Sequence, residues 1–209
     1  MHEFDPSERE ESEVARFVKT VVTPRPIAWI STVSEAGVDN LAPFSSYNYV
    51  SLTEPTVLFN TPNGDRDELK DTARNALDTG EFVVNVVTAA DIERMDHTSV
   101  SLPPEESEFD EVGIERAECR TVEAPRVADA AVSMECELYD SLEVHDKLMI
   151  LGDVRYLHVD EDLLSGGDDE GDGDDEEVGT VDSRTLDTVG RLGGPYYTVS
   201  EPVPFERQF

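Results

Sequence analysis

Small polar residues follow a proline in the segment from 40 to 48. Pro43 cannot donate to a sheet ladder, and Ser45, Ser46 and Asn48 offer short hydroxyl and amide groups. A strand with these features is suited to approach something flat and polar. An ordinary edge strand with a bulge explains the same pattern, so both interpretations stay open at this point.

Two cations lie close together in a chain that has few of them. Arg66 and Lys70 precede Asp71 and Thr72, where the sequence predicts the start of a helix. Backbone amides at a helix start favour anions, and a lysine adds a full positive charge. The pair therefore favours a phosphate site, and a surface ion pair between Lys70 and Asp67 is the alternative.

The elements that position these residues are mostly strands. Ile27, Trp29 and Ser31 alternate with the residues between them, which is typical of a half-buried strand. Gly37 can take the positive φ of the following turn. We expect a hairpin over 27–50, strands over 56–61, 82–87, 131–144 and 148–158, and short helices over about 14–23, 68–77 and 90–97, with Gly80 ending the second helix. The pattern predicts an α+β fold that is mostly antiparallel β around a barrel.

Acidic residues dominate the composition of this 209-residue chain. There are 48 Asp plus Glu against 16 Lys plus Arg, which gives a net charge of −32, and the only lysines are Lys19, Lys70 and Lys147. This charge excludes nucleic acid and anionic membrane surfaces as partners. Because molar salt screens such repulsion, we predict a halophilic protein, and an ordinary acidic protein is the alternative.

The apolar content, the start of the chain and its cysteines predict the localisation and the absence of a cysteine metal site. No segment approaches the roughly 20 apolar residues of a membrane helix, and the acidic start lacks the layout of a signal peptide, so we expect a cytoplasmic protein. We predict a flexible lead-in over 1–13 and a single domain over 14–209. Cys119 and Cys136 lack metal-ligand spacing, so no metal is expected from them.

Residues 166–177 interrupt the pattern with eight acids and four glycines. Such a segment cannot form a core, and we predict a disordered acidic insertion. A Ca²⁺ site is the alternative, although the spacing does not follow an EF-hand loop.

Six motifs occur in order along the chain: PRPIAWIST, NLAPFSSYN, TVLFNT, KDTARN, TGEFVVN and, near the end, RLGGPYY. In order and interval they resemble the flavin reductase-like family of FMN-binding split barrels, which is related to flavoredoxins. The similarity runs from about Thr23 to about Tyr197. It implies a split β-barrel that pairs as a homodimer.

The resemblance also implies which residues bind FMN. The phosphate would lie near the start of the 68–77 helix, the ring edge along the strand that contains Pro43, and the ribityl chain or phosphate at the end of the third strand. The tyrosine pair of RLGGPYY could stack on the ring, or simply lie in a surface turn. The residues implied are Pro43, Phe44, Ser45, Ser46, Asn48, Asn60, Thr61, Arg66, Lys70, Asp71, Thr72 and Tyr196.

The function implied is an FMN-binding oxidoreductase. NADH or NADPH would pass hydride to FMN, and the electrons would go on to free flavin, a monooxygenase, a ferric chelate or another redox protein. Hydride transfer to flavin needs no acid–base residue, so no catalytic residue is predicted. A flavoredoxin-like FMN electron carrier and a deazaflavin-using relative are the alternatives. His145-Asp146-Lys147 stands where relatives often have Gly-Asp-His, so the nicotinamide contact of that histidine is in doubt.

Overall fold

The structure is a computed structural model, and it describes residues 1–165 and 179–204. All residues of the predicted insertion at 166–177 lie outside the described residues. The helices are α1 (Glu11–Val21), α2 (Asp71–Thr79), α3 (Ile92–His97) and α4 (Glu108–Val112), with 3₁₀ turns at Pro6–Glu8, Arg66–Glu68, Ala89–Asp91 and Glu161–Leu163. The strands are β1 (Arg25–Pro26), β2 (Ala28–Val33), β3 (Asp39–Phe44), β4 (Tyr47–Ser51), β5 (Thr56–Pro62), β6 (Glu81–Val86), β7 (Arg116–Ala117), β8 (Arg126–Val127), β9 (Val132–Val144), β10 (Lys147–Val159), β11 (Leu164–Ser165), β12 (Thr180–Val181), β13 (Val189–Arg191) and β14 (Tyr197–Val199).

One antiparallel sheet of seven strands forms the body, in the order β3-β2-β6-β9-β10-β5-β4. Its two outer strands, β3 and β4, are consecutive in the chain and are joined by Ser45 and Ser46, so the sheet curls back on itself. The backbone N–H of Asn60 donates to the carbonyl of Ser46 at 3.1 Å, close to this junction. The α+β, mostly β, split-barrel prediction is confirmed.

Strand β2 separates two hydrophobic cores. Ala28 and Ile30 pack inside the barrel with the ring of Phe59, whereas Trp29 packs on the outer side with Phe109. The prediction that this strand is half-buried was wrong, because the chain from α3 to α4 covers its outer face. Trp29 satisfies its indole N–H there by donating to the hydroxyl of Thr98 at 2.9 Å.

Short-range signals place the turns correctly. Gly37 has a φ of 81° in the β2–β3 turn, and Gly80 ends α2 with a φ of 76°. The helix itself begins at Asp71 rather than at 68, because residues 66–68 form a separate 3₁₀ turn. Lys70 is therefore the N-cap residue of α2 and has an extended backbone.

The hairpin of β9 and β10 is the longest pair in the sheet, with 13 residues in each strand. Residues 145 and 146 make its turn, in which His145 has a φ of 53°. Two register shifts interrupt the pairing, one of them between Leu151 and Gly152. A Cβ at Gly152 would lie 2.4 Å from the Cζ of Phe82, so this position needs a glycine.

Helix α1 packs loosely against the rest of the chain. It begins at Glu11, which lies inside the acidic segment predicted as a lead-in, and it has no buried residue. Its apolar residues Phe17, Val18 and Val21 are exposed. Among the described residues, every helix is too short or too polar to traverse a lipid bilayer.

Candidate cofactor-binding cleft

A cleft of about 800 Å³ opens where β3, β5 and the β9–β10 turn meet the chain that follows β13. We call it the basic cleft, because it is lined by three lysines and two arginines. Seven residues predicted to bind FMN line it: Pro43, Phe44, Ser45, Ser46, Asn60, Thr61 and Lys70. Segments that are distant in sequence therefore meet in one concave site, as ligand sites usually require.

The other five predicted residues do not line the basic cleft. Arg66 forms an ion pair with Asp78. The side chain of Asn48 is exposed and accepts from the N–H of Tyr49 at 2.9 Å. Tyr196 is also exposed.

The last two of these five residues, Asp71 and Thr72, lie in the first turn of helix α2. Asp71 pairs with Arg74 one turn further along the helix. The hydroxyl of Thr72 is buried and donates to the side-chain oxygen of Asn40 at 2.6 Å. Both side chains already have partners within the protein, which physically explains why they do not reach the cleft.

The cleft gathers positive charge in a strongly acidic protein. All three lysines of the chain, Lys19, Lys70 and Lys147, line it together with Arg25 and Arg191, and its described lining contains no Asp or Glu. Within residues 1–165 and 179–204, neither Lys19 nor Lys70 has an ion-pair partner. Their charge is therefore available to an anionic ligand, whose attraction is strengthened where water is partly excluded.

The start of α2 adds to this attraction. Lys70 is its N-cap residue, and no side chain caps the first turn. The first N–H groups of the helix therefore have no side-chain acceptor there, and the helix dipole favours an anion beside them. Asp71 in the first turn works against this, although its charge is offset by Arg74.

Thr61 is a buried polar residue without a protein partner for its hydroxyl. Its residue is 1% exposed, and its Oγ1 has no hydrogen-bond partner among the described residues. Buried hydroxyls are normally hydrogen-bonded, so an unpaired one that lines a cleft is available to a ligand. The neighbouring junction is fixed, because the hydroxyl of Ser46 donates to the carbonyl of Asn60 at 2.9 Å.

Apolar side chains supply the rest of the wall. Ile27 and Met95 are buried, and Met149 and Leu192 are partly exposed where they line the cleft. A flat heteroaromatic ring with an anionic tail needs apolar cover at one end and positive charge at the other. The residues present fit both parts of FMN.

Tyr197, rather than Tyr196, lines the cleft. Its hydroxyl donates to the carboxylate of Asp96 at 2.5 Å, and the guanidinium carbon of Arg191 lies 4.4 Å from its ring centroid. Burial, followed by the bond to Asp96, raises the pKa of Tyr197. The tyrosine therefore stays protonated and covers one edge of the site.

Sequence reasoning missed three of the five cations that line the cleft. Arg25 reaches it from β1 and donates to the carbonyls of Val22, at 3.0 Å, and Leu192, at 3.3 Å. Lys19 and Arg191 come from opposite ends of the chain. Only the scarcity of lysine could have indicated Lys19. In a chain with three lysines and 48 acidic residues, each lysine is a candidate for a site that needs positive charge.

Lys147 lies in the cleft at the start of β10 and 2.5 Å from a carboxylate oxygen of Asp146. This is the position where the sequence departs from the pattern of its resembling family. The structure therefore places a lysine at the ligand site where a histidine was expected, and the neighbouring Asp146 offsets its charge.

Comparisons with known proteins find relatives and solved structures that match the chain over nearly its whole length. A curated, uncharacterized protein of Aquifex aeolicus (strain VF5) is 38% identical over 195 residues, which cover 93% of this chain and 94% of that protein. The crystal structure of nitrilotriacetate monooxygenase component B from Bacillus cereus has a TM-score of 0.86 and 28% identity, and the match covers 99% and 98% of the two chains. That of 2-nitrobenzoate 2-nitroreductase NbaA from Pseudomonas fluorescens has a TM-score of 0.84 and 26% identity, over 99% and 96%.

A family model settles the classification that the motifs predict. The flavin reductase like domain matches residues 21–168, which is more than half of the chain. This range contains the β3–β4 junction, the end of β5, the start of α2 and the β9–β10 turn. The chain therefore belongs to the flavin reductase-like domain family of flavin-related oxidoreductases.

Proposed function

We propose that the basic cleft binds FMN and that the chain is an NAD(P)H-dependent oxidoreductase of the flavin reductase type. One observation carries this proposal: all three lysines of a chain with a net charge of −32 line a single cleft whose described walls hold no carboxylate. An acidic protein repels phosphates everywhere else on its surface. Three lysines and two arginines that share a described lining without Asp or Glu therefore indicate an anionic ligand there.

Named residues would hold each part of the cofactor. Lys70 and the uncapped start of α2 suit the phosphate. The unpaired hydroxyl of Thr61 offers a hydrogen bond to the polar chain between phosphate and ring. Ser45 and Ser46, which line the cleft, suit the ring edge, while Met149 provides apolar cover.

When bound, FMN supplies the redox chemistry, accepting hydride from reduced nicotinamide and giving up electrons to an acceptor. The chain itself contributes binding, orientation and exclusion of water. No side chain has to move a proton in this step. Lys19 and Arg25 line the cleft and have no ion-pair partner among the described residues. They supply positive charge beyond what one phosphate needs, and this charge suits the phosphates of a nicotinamide dinucleotide.

A monooxygenase is the electron acceptor that the comparisons favour. Component B of nitrilotriacetate monooxygenase from Bacillus cereus matches this chain almost from end to end. The alternative acceptors are free flavin, a ferric chelate and another redox protein. Each acceptor can be offered separately to the reduced protein.

We further propose that the protein is a homodimer. Large apolar side chains are exposed on α1, around β4 and on β9, and surfaces of this kind mark interfaces. A second chain on this surface would lie next to Lys19 and could exclude water from the cleft. The exposed residues are Phe17, Val18, Val21, Tyr49, Leu52, Tyr139 and Leu142. Light scattering in molar KCl tests this directly, and a monomer would overturn it.

Anaerobic titration of the purified chain tests the central proposal. In molar KCl the protein should bind FMN with a distinct shift of the flavin absorption, and NADH or NADPH should bleach it within seconds. A yellow protein that neither nicotinamide reduces would instead be an electron carrier. A protein that binds no FMN would overturn the assignment of the cleft.

A further inference from the structure

A second group of chemically active side chains lies outside the basic cleft. Cys119, Glu135 and His158 place their sulfur, carboxylate and imidazole ligand atoms all within 4.8 Å of one another. None of the three lines the basic cleft. They come from three places in the chain: the segment between β7 and β8, the strand β9 and the strand β10.

The sheet brings two of these residues together. Glu135 pairs with Tyr156 across the β9–β10 ladder, so His158 lies two residues further along on the same face. Cys136 points into the barrel core, and alternation therefore places Glu135 on the outer face. The segment between β7 and β8 lies over this face and contributes Cys119.

Glu135 is held in place before any ion arrives. It is fully buried, and its carboxylate accepts from the backbone N–H groups of Arg120, at 2.7 Å, and Thr121, at 2.6 Å. A buried carboxylate that backbone N–H groups already orient is suited to bind a metal ion.

In the structure without a metal, the three side chains lie against one another where an ion would bind. The imidazole Nε2 of His158 lies 2.6 Å from a carboxylate oxygen of Glu135, and the sulfur of Cys119 lies within 4.8 Å of both groups. An ion between the three groups would replace the hydrogen bond between His158 and Glu135. Cys119 and His158 are partly exposed, so the site can be reached from solvent.

We propose that Cys119, Glu135 and His158 bind one zinc ion, with water as the fourth ligand. Zinc is the ion that suits a mixed sulfur, nitrogen and oxygen set, and three protein ligands plus water is a common zinc arrangement. Binding converts the thiol to thiolate and releases its proton to solvent, with no change in oxidation state.

The ion would link the segment between β7 and β8 to the strands β9 and β10. Sequence spacing could not show this site, because 16 residues separate Cys119 from Glu135 and 23 separate Glu135 from His158. A metal at this site would be an exception to the expectation, drawn from the spacing of the cysteines, that they bind none. Only strand pairing brings the ligands together.

Cobalt substitution in the full chain tests the proposal. The chelator-stripped protein is titrated with Co²⁺ in molar KCl with excess Mg²⁺, which suppresses loose binding to the acidic surface. We expect one equivalent of Co²⁺ to give a thiolate-to-metal charge-transfer band that Zn²⁺ abolishes. A wild-type protein without this band would overturn the proposal.

Variants then identify the ligands. Cys119→Ser should lose the band, and both Cys119→Ser and His158→Gln should weaken Zn²⁺ binding at least about tenfold in chelator competition. His158→Gln keeps a hydrogen-bond donor for Glu135, so it is the variant to rely on if Cys119→Ser fails to fold by circular dichroism. Cys136→Ala and His97→Gln are matched controls and should bind as wild type. Equal Zn²⁺ affinity in all four variants would mean adventitious surface binding and would end the proposal.

Discussion

The hydroxyl of Tyr197 donates a hydrogen bond of 2.5 Å to the carboxylate of Asp96, and this bond ties β14 to the end of α3 at the basic cleft. Tyr197→Phe removes the bond and keeps the ring. We expect a loss of about 1 kcal/mol in the free energy of unfolding, measured with denaturant in molar KCl. Tyr196→Phe is the matched control, because Tyr196 is exposed, and it should unfold like wild type. Equal loss in both variants would show that the bond contributes nothing.

Lys70 is predicted to hold the phosphate of FMN. Lys70→Ala should weaken FMN binding by at least about tenfold, which is about 1.4 kcal/mol, because a charge-assisted contact is lost. Fluorescence titration in molar KCl measures this change free of long-range charge effects. The control is Arg184→Ala, since Arg184 pairs with Asp182 away from the cleft. An unchanged dissociation constant for Lys70→Ala would remove this residue from the site.

Two threonines separate ligand binding from stability. The hydroxyl of Thr61 has no partner among the described residues, whereas that of Thr72 donates to Asn40. Thr61→Val should therefore weaken FMN binding by about 1 kcal/mol and leave the stability of the flavin-free protein unchanged or slightly higher.

Thr72→Val should show the opposite pattern. It leaves the buried acceptor of Asn40 unpaired, which costs about 1–3 kcal/mol of stability, and it should leave FMN affinity as in wild type. Calorimetric melting of the flavin-free variants and FMN titration measure the two effects separately. If Thr72→Val alone reduced FMN binding, the phosphate site would have to be moved towards the first turn of α2.

Local signals predicted most of the fold. Gly37 and Gly80 both take the left-handed conformation that their positions required, because turn and helix-end chemistry depends on a few neighbouring residues. The burial of Trp29 on the outer face of β2 could not be predicted in the same way. It depends on Phe109, which is 80 residues away and lies outside the helices and strands that the sequence predicted.

In the cleft, too, local motifs could be recognised in the sequence, whereas contacts between distant segments could not. Pro43, Ser46 and Lys70 line the cleft, and they were predicted to bind the ligand because they lie inside recognisable motifs. Thr72 was predicted from its place in a motif too, although its hydroxyl bonds to Asn40, a partner that only the folded chain supplies. Arg191 begins the motif RLGGPYY but was not predicted to bind, because its position beside the cleft depends on the pairing of β13 with β1.

Gly152 is a packing constraint in the barrel wall. Gly152→Ala would place a Cβ 2.4 Å from the ring of Phe82 and 3.1 Å from the Cβ of Cys136. Phe82 is fully buried, so the ring cannot move aside freely. We expect a loss of about 1–3 kcal/mol in the free energy of unfolding, as overpacked cores show.

The control for this substitution is Gly80→Ala. Gly80 has a positive φ, but a Cβ there would meet nothing within 4 Å, so only the backbone strain of about 1–2 kcal/mol remains. Chemical denaturation of both variants compares a steric clash with a conformational cost. If Gly152→Ala were neutral, β10 would have to shift at its bulge, and the register on either side of Leu151 would be less fixed than the structure shows.

Salt should stabilise this protein, because a net charge of −32 repels itself across a small body. The Debye length falls from about 10 Å at 0.1 M to about 3 Å at 1 M salt, so most of this repulsion is screened at high salt. We expect the melting temperature to rise by more than about 5 °C between 0.1 M and 2 M KCl, which for this chain length corresponds to about 2 kcal/mol. Sucrose at equal osmolarity is the control, because it stabilises by exclusion from the surface without screening charge, and it should give a smaller rise. An equal or higher melting temperature at low salt would contradict adaptation to a salt-rich environment and would favour an ordinary acidic protein.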